Sequence, residues 1–205
     1  MKLHKHLNLK SRYFQAGLLA SGVAILCTAT FAVSAHIERE QMAAAYTERA
    51  FSQIELRASL HEPVGTLIIG DSITDSLVFH PACGSVLQAT IPGITLAEYR
   101  SRIPGLIAKV NPDRVIIELG TNDDGTHYDL PALATRHPTA LVGTTNKPGM
   151  NRHIARLATE LGYDYIPMPT PGADGKHPDR TGLLQLKSRI DDFCAERGAE
   201  LAELH

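Results

Sequence analysis

Hydrophobic positions fall into one long apolar block near the start of the chain. A series of short blocks follows, separated by polar, Gly- and Pro-rich breaks. Residues 16–35 are apolar or small and carry no charge. Residues 37–60 are polar and Ala-rich, with Met42, Ala45, Tyr46 and Phe51 at helical spacing, and Pro63-Val64-Gly65 ends that pattern. Beyond it, strands are predicted over 66–69, 85–90, 114–119, 140–144 and 165–168. The third is a β-branched apolar run of the kind buried on both faces of a sheet. Helices are predicted over 73–79, 96–110, 130–136, 150–161 and 180–204. Strands alternating with helices predict an α/β fold with a five-stranded parallel sheet between helical layers. In such sheets chemistry sits beyond the carboxyl ends of the strands. There is no internal repeat, low-complexity tract or second domain.

Charge changes the reading of the first block. Lys2, Lys5, Lys10 and Arg12 precede it, and no acid occurs before Glu38. A basic head before an apolar core is an export signal or a membrane anchor. Val33-Ser34-Ala35 has the small-residue spacing of a signal-peptidase site, which fits cleavage after Ala35. The length of the apolar block is enough to span a bilayer, which fits an uncleaved anchor over 14–35. Both remain open, and the basic head disfavours a buried soluble helix. Cys27 follows Ala24-Ile25-Leu26, without the small residue that lipidation needs before it. The resulting division is 1–36 signal or anchor, 37–62 helical connector and 63–205 globular domain, placed outside the cytoplasm.

Composition narrows the rest. At 43% hydrophobic and 20% charged residues the chain is globular rather than disordered. A net charge of −2 gives no reason to propose nucleic-acid binding. Cleavage after Ala35 would remove four of the 20 basic residues and none of the 22 acidic ones, leaving −6. Any membrane attachment would then come through the N-terminal segment alone. Few aromatics and no Trp argue against stacking platforms for sugars or bases. Cys83 and Cys194 are the cysteines outside the apolar block, and an exported domain invites them to pair; two buried free thiols are the alternative.

Candidate chemistry lies where the strands end. Gly70-Asp71-Ser72-Ile73-Thr74 follows the first strand. There a serine can act as nucleophile beside backbone N–H groups, or Asp-Ser can simply cap a helix. In Asp174-Gly175-Lys176-His177-Pro178 the three-residue separation lets the aspartate reach the histidine Nδ1–H. That contact would fix the tautomer of a general base, with Gly175 allowing the turn and Pro178 suiting the first turn of the last helix. Gly120-Thr121-Asn122-Asp123 ends the third strand, and the Asn122 amide can donate to an oxyanion or form an Asx turn. Gly93 follows the second strand, where a backbone N–H can approach the same point; an ordinary turn glycine is the alternative.

Together these segments resemble the four sequence blocks of the SGNH (GDSL-like) hydrolases, in order and in approximate spacing, over roughly residues 64–197. Pro92 and Ile94 depart from the more usual Ser-Gly-Asp of the second block. The resemblance implies a flavodoxin-like three-layer α/β/α sandwich and hydrolysis of an ester or thioester through an acyl-enzyme. It implies Ser72 as nucleophile, His177 as base and Asp174 orienting it. The oxyanion donors would be the Ser72 and Gly93 N–H groups and the Asn122 side chain. No metal or cofactor is expected, and the partner is a small acyl-ester, lipid or acylated-glycan substrate. The competing reading is a membrane-tethered binding or scaffold domain that keeps the fold without turnover. Asp123, Asp124 and His127 share one loop without a convincing ligand set, and line the cleft mouth instead. Gly143-Thr144-Thr145-Asn146-Lys147 lacks phosphate-loop spacing. His80 and His153 read as surface residues, and Asp75 and Ser76 as the start of the first short helix. The short segment 123–141 suggests an open, shallow site suited to short acyl groups.

Overall fold

The structure is a computed structural model that describes residues 3–60, 63–124, 128, 130, 137–145 and 147–203, with 3–25 and 200–203 described by backbone alone. The predicted helix over 130–136 lies outside the described residues apart from Leu130, and so does His127. Two compact units divide the chain, Met1–Glu48 and Arg49–His205. Helix α1 (Leu3–Leu60) runs through that division. Leu26, Phe31 and Val33 in its first unit are exposed. Among the described residues no helix is long and apolar enough to cross a membrane, and residues 16–25 of the apolar block lie outside the described side chains.

In the second unit five strands form one sheet: β1 (Thr66–Gly70), β2 (Val86–Thr90), β3 (Arg114–Glu118), β4 (Thr139–Val142) and β5 (Asp164–Ile166). Their order is β2-β1-β3-β4-β5 and every neighbouring pair is parallel. Side-chain alternation along the strands builds a core on each face. Leu67, Ile69, Val115, Ile117 and Leu141 pack on one side with Phe51, Ile54 and Ala58 of α1. Helices α4 (Ile103–Val110) and α5 (Pro148–Leu161) complete that layer through Ile103, Ile107, Met150 and Ile154. Ile68, Ile116, Ala140 and Val142 face the other side, against Leu186, Ile190 and Phe193 of α6 (Arg180–Glu203). The result is a three-layer α/β/α sandwich.

Two predicted helices are shorter than their periodicity suggests. The run over 96–110 is broken into α3 (Leu96–Tyr99) and α4. Thr95 and Glu98 close a capping box at the start of α3. Pro104 lies in the first turn of α4, where its missing N–H costs nothing, whereas a continuous helix would set its ring against the carbonyl of residue 100. The run over 73–79 yields only α2 (Ser72–Asp75). Its exit carbonyls are occupied from elsewhere: Gln88 Nε2 on β2 donates to Thr74 O at 3.1 Å and to Leu77 O at 3.0 Å.

The register brings the site together. Gly70 lies opposite both Thr90 and Glu118, so the turns after β1, β2 and β3 leave the sheet at one level.

Candidate active site

The turn after β1 carries a helix cap and a separately bonded serine hydroxyl, on adjacent residues. Asp71 is the N-cap of α2, its Oδ1 accepting the Ile73 N–H at 2.9 Å. Capping by Asp71 leaves Ser72 free to use its hydroxyl elsewhere, and its Oγ lies 3.0 Å from His177 Nε2. Gly70 is required because the chain is crowded at this point. A Cβ there would lie 2.0 Å from Thr74 Oγ1 and 3.2 Å from Glu118 O.

His177 is held by its own loop. Asp174 Oδ2 lies 2.7 Å from His177 Nδ1, while Oδ1 accepts the N–H groups of Lys176 and His177 at 2.9 Å each. Gly175 has φ +70°, which supplies the turn that makes this possible. The hydrogen bond from His177, together with the two backbone N–H groups, holds the Asp174 carboxyl down at about 2. The side chains of His177 and Asp174 remain 48% and 54% exposed, so the site is open to solvent at this edge. Thr145 donates its hydroxyl to Lys176 O, tying the loop after β4 to the histidine loop. One local expectation changes. Asp179 caps α6 through the Gly182 N–H at 2.7 Å, so Pro178 stands before the cap rather than within the first turn.

Asn122 reaches the same turn from the end of β3. Its Nδ2 donates to Asp71 Oδ2 at 2.9 Å and to Ile94 O at 3.2 Å. The amide therefore sits between the residue before Ser72 and the residue after Gly93. Gly93 has φ +81° with open space where a Cβ would be, so its backbone conformation, not crowding, is what favours glycine. The structure thus brings Ser72, His177 and Asp174 into one hydrogen-bonded chain and sets Asn122 and the Gly93 turn beside it. The other predicted pair also meets. Cys83 and Cys194 are bonded, with Cα atoms 4.9 Å apart.

Two residues at the site escaped the sequence reading. Glu118, the last residue of β3, is fully buried, and its Oε2 lies 3.3 Å from both Asp71 N and Thr74 Oγ1. Burial, reinforced by the neighbouring Asp71 charge, pushes its carboxyl well above the usual range. Asp71 is raised too, chiefly by burial, and the Ile73 N–H opposes the shift. The clue in the sequence was an acid inside an otherwise apolar strand, since a buried carboxyl needs partners. Lys147, in a segment set aside for lacking phosphate-loop spacing, donates to Gly120 O at 3.0 Å, Thr121 O at 2.9 Å and Asp123 O. It thereby gathers the loop that carries Asn122.

A cavity of about 810 Å³ opens beside Asn122. Among the described residues its apolar wall includes Leu96, Tyr128, Leu130 and Leu157, with Arg100 and His153 as polar members. His153 thus belongs to a cleft rather than to the general surface. Asp123 and Asp124 line it as well. Asp123 also accepts the Leu96 N–H at 2.9 Å, so its carboxylate is used in structure. Among the described residues no group of three His, Cys, Asp or Glu side chains is arranged to hold a metal ion.

A GDSL-like lipase from Bacteroides thetaiotaomicron VPI-5482 superposes on 71% of this chain and 97% of its own, with TM-score 0.57 at 16% identity. The chain has the SGNH-hydrolase fold. TesA superposes on 65% of the chain and 99% of its own length, with TM-score 0.50 at 23% identity. No family model and no curated protein matches the sequence. In this SGNH-hydrolase fold the Ser72, Asn122 and His177 turns all leave the carboxyl edge of the sheet, where open α/β sheets present their sites.

Proposed function

We propose that this protein is a serine hydrolase that cleaves carboxylic esters or thioesters through an acyl-enzyme on Ser72. The observation that carries the reading is the continuous chain Ser72 Oγ–His177 Nε2 at 3.0 Å and His177 Nδ1–Asp174 Oδ2 at 2.7 Å. Its order and roles are those of a nucleophile, a base and an orienting acid. Ser72 Oγ attacks the substrate carbonyl as its proton passes to His177 Nε2. Asp174 keeps the Nδ1 proton in place and stabilises the imidazolium. The carbonyl oxygen becomes an oxyanion facing the Ser72 N–H, the Gly93 N–H and the Asn122 amide. Asn122 releases its longer bond, to Ile94 O, to make this contact. Collapse of the intermediate expels the alcohol or thiol, which takes the proton from His177. Water then repeats the sequence on the acyl-Ser72 ester, with His177 again as base, and frees the acid.

The cavity beside Asn122 receives one half of the ester. Its mixed walls suit an acyl or alcohol group with both apolar and polar parts. The basic head and apolar block support a location of the domain outside the cytoplasm, either released after Ala35 or anchored by residues 14–35. A disulfide between Cys83 and Cys194 supports that placement, because such bonds persist in oxidising compartments.

The test is release of p-nitrophenol from p-nitrophenyl acetate by the purified full chain. Ser72→Ala abolishes it on this reading. Equal rates for the two proteins would leave the non-catalytic binding domain as the better account. A p-nitrophenyl ester chain-length series, run beside acetylated glycans, identifies the acyl group.

A further inference from the structure

The turn that bears Ser72 rests on two buried carboxyl groups that the hydrolytic scheme does not use. Asp71 and Glu118 are both fully buried. Asp71 N lies 3.3 Å from Glu118 Oε2, so the two carboxyl groups share one buried pocket. Two neighbouring carboxyl groups buried together cannot both stay ionised, so one of them keeps its proton. The remaining partners decide which one. The Asp71 carboxyl receives two N–H donors at 2.9 Å, from Ile73 N to Oδ1 and from Asn122 Nδ2 to Oδ2. Glu118 has weaker support: Asp71 N and Thr74 Oγ1 both reach Oε2 at 3.3 Å, and no donor faces Oε1 among the described residues. The better-solvated group is Asp71, so the charge belongs there and the proton on Glu118.

We propose that Asp71 and Glu118 form a singly charged buried pair, Glu118 neutral and Asp71 ionised, whose task is to position the Asn122 amide for the oxyanion. The inference rests on the ester-hydrolase reading of Ser72. Asp71 does two things at once. It caps α2, which presents Ser72, and it accepts one Asn122 N–H. The Asn122 amide is thereby fixed relative to the nucleophile by one shared carboxylate. The Glu118 proton keeps the pair at one negative charge instead of two, beside a point where negative charge must develop in the transition state. Both are positioning residues, since neither touches the reacting atoms.

The test measures kcat and KM of the full chain on p-nitrophenyl acetate, together with affinity for a boronic acid that forms a tetrahedral adduct on serine. Asp71→Asn can no longer offer acceptors to both Ile73 and Asn122. It lowers kcat and boronate affinity about 10- to 100-fold, with KM little changed. Glu118→Leu removes the partner of Asp71 and lowers kcat by about tenfold, on the scale of a small misplacement of catalytic groups. Glu118→Gln, neutral and still able to donate, restores most of that loss. A Glu118→Gln protein as slow as Glu118→Leu overturns the neutral assignment. A folded Asp71→Asn protein with unaltered kcat overturns the positioning role. Where Glu118→Leu does not fold, Asp71→Asn and Glu118→Gln decide alone, a Glu118→Gln loss equal to that of Asp71→Asn counting against the proposal. Hydrolysis that survives Ser72→Ala removes the catalytic reading itself, whereas loss in Ser72→Ala with Asp71→Asn unaffected removes only this inference.

Discussion

Asp174 illustrates how much of this site is built within four residues of chain. Its carboxylate takes two backbone N–H groups and the His177 ring N–H, and it is held at about 2 against an ordinary 3.8. A depressed carboxyl contributes stability that is fully present above its unfolded value and is lost as pH falls through its folded value. The Asp174 contacts are therefore complete above about pH 4 and disappear as the pH approaches 2. Carbon-13 NMR of the Asp174 carboxyl tests this. The midpoint lies near 2 in the native protein and moves toward 3.8 in His177→Ala, because the largest cause is removed. Asn122 makes a second prediction at this scale. On the proposed mechanism, Asn122→Ala deletes a side-chain oxyanion donor and lowers kcat about 10²- to 10³-fold. Steady-state kinetics on p-nitrophenyl acetate measure it, and a change under about threefold would remove Asn122 from the oxyanion site. Ser72, Asp174 and His177 were legible in the sequence because short segments carry them and their partners are close in the chain or chemically obvious. Glu118 was not legible, because its role depends on Asp71, which is 47 residues away and paired to it only by register.

At the level of elements, local sequence decided where structure begins better than where it ends. The Thr95–Glu98 capping box and the Asp71 cap are short-range devices that the chain carries in itself. The early ends of α2 and α3 are set differently. Gln88 on β2 donates to Thr74 O, the carbonyl that residue 78 would use in a longer α2, a non-local competition that periodicity cannot register. Pro104 was visible in the sequence, yet hydrophobic spacing continues across it, so the period alone joined two helices that the ring separates. The Gly93 turn gives a prediction of this scale. Its φ of +81° is disfavoured for a residue with a Cβ, although space is available there. Gly93→Ala accordingly lowers stability by about 1 to 2 kcal/mol through backbone strain. Urea denaturation measures it, and an unchanged midpoint would mean the turn relaxes without cost.

Over the whole molecule, α6 and the sheet are joined by covalent and polar ties as well as by packing. Cys83 and Cys194 close a loop across 111 positions. Arg114, buried at the start of β3, donates to Ala82 O at 2.9 Å and to Cys194 O at 2.8 Å beside that bond. A cross-link over so long a span restricts the unfolded chain strongly, and its loss costs about 2 to 5 kcal/mol. The Cys83→Ala, Cys194→Ala double variant therefore unfolds at lower urea than the oxidised protein, and reductant lowers the oxidised protein toward it. Identical urea midpoints with and without reductant would show that the bond is not formed in solution. The Ser72–His177–Asp174 chain leaves the opposite edge of the sheet, so on the proposed function the reduced protein stays active below its unfolding transition.

Taken by itself, the sequence determined the alternation of strands and helices, the parallel α/β architecture and the segments that bear Ser72, His177 and Asn122. Those are properties of local periodicity and of short motifs, which need no knowledge of distant neighbours. Tertiary structure alone decided the strand order, which puts Gly70 level with Glu118 and Thr90. It also decided that Asp71 supports Asn122 and that a cavity of about 810 Å³ opens beside it. Each of these depends on which residues from separate strands come to lie side by side, and that is fixed by packing two cores on one sheet rather than by any stretch of chain.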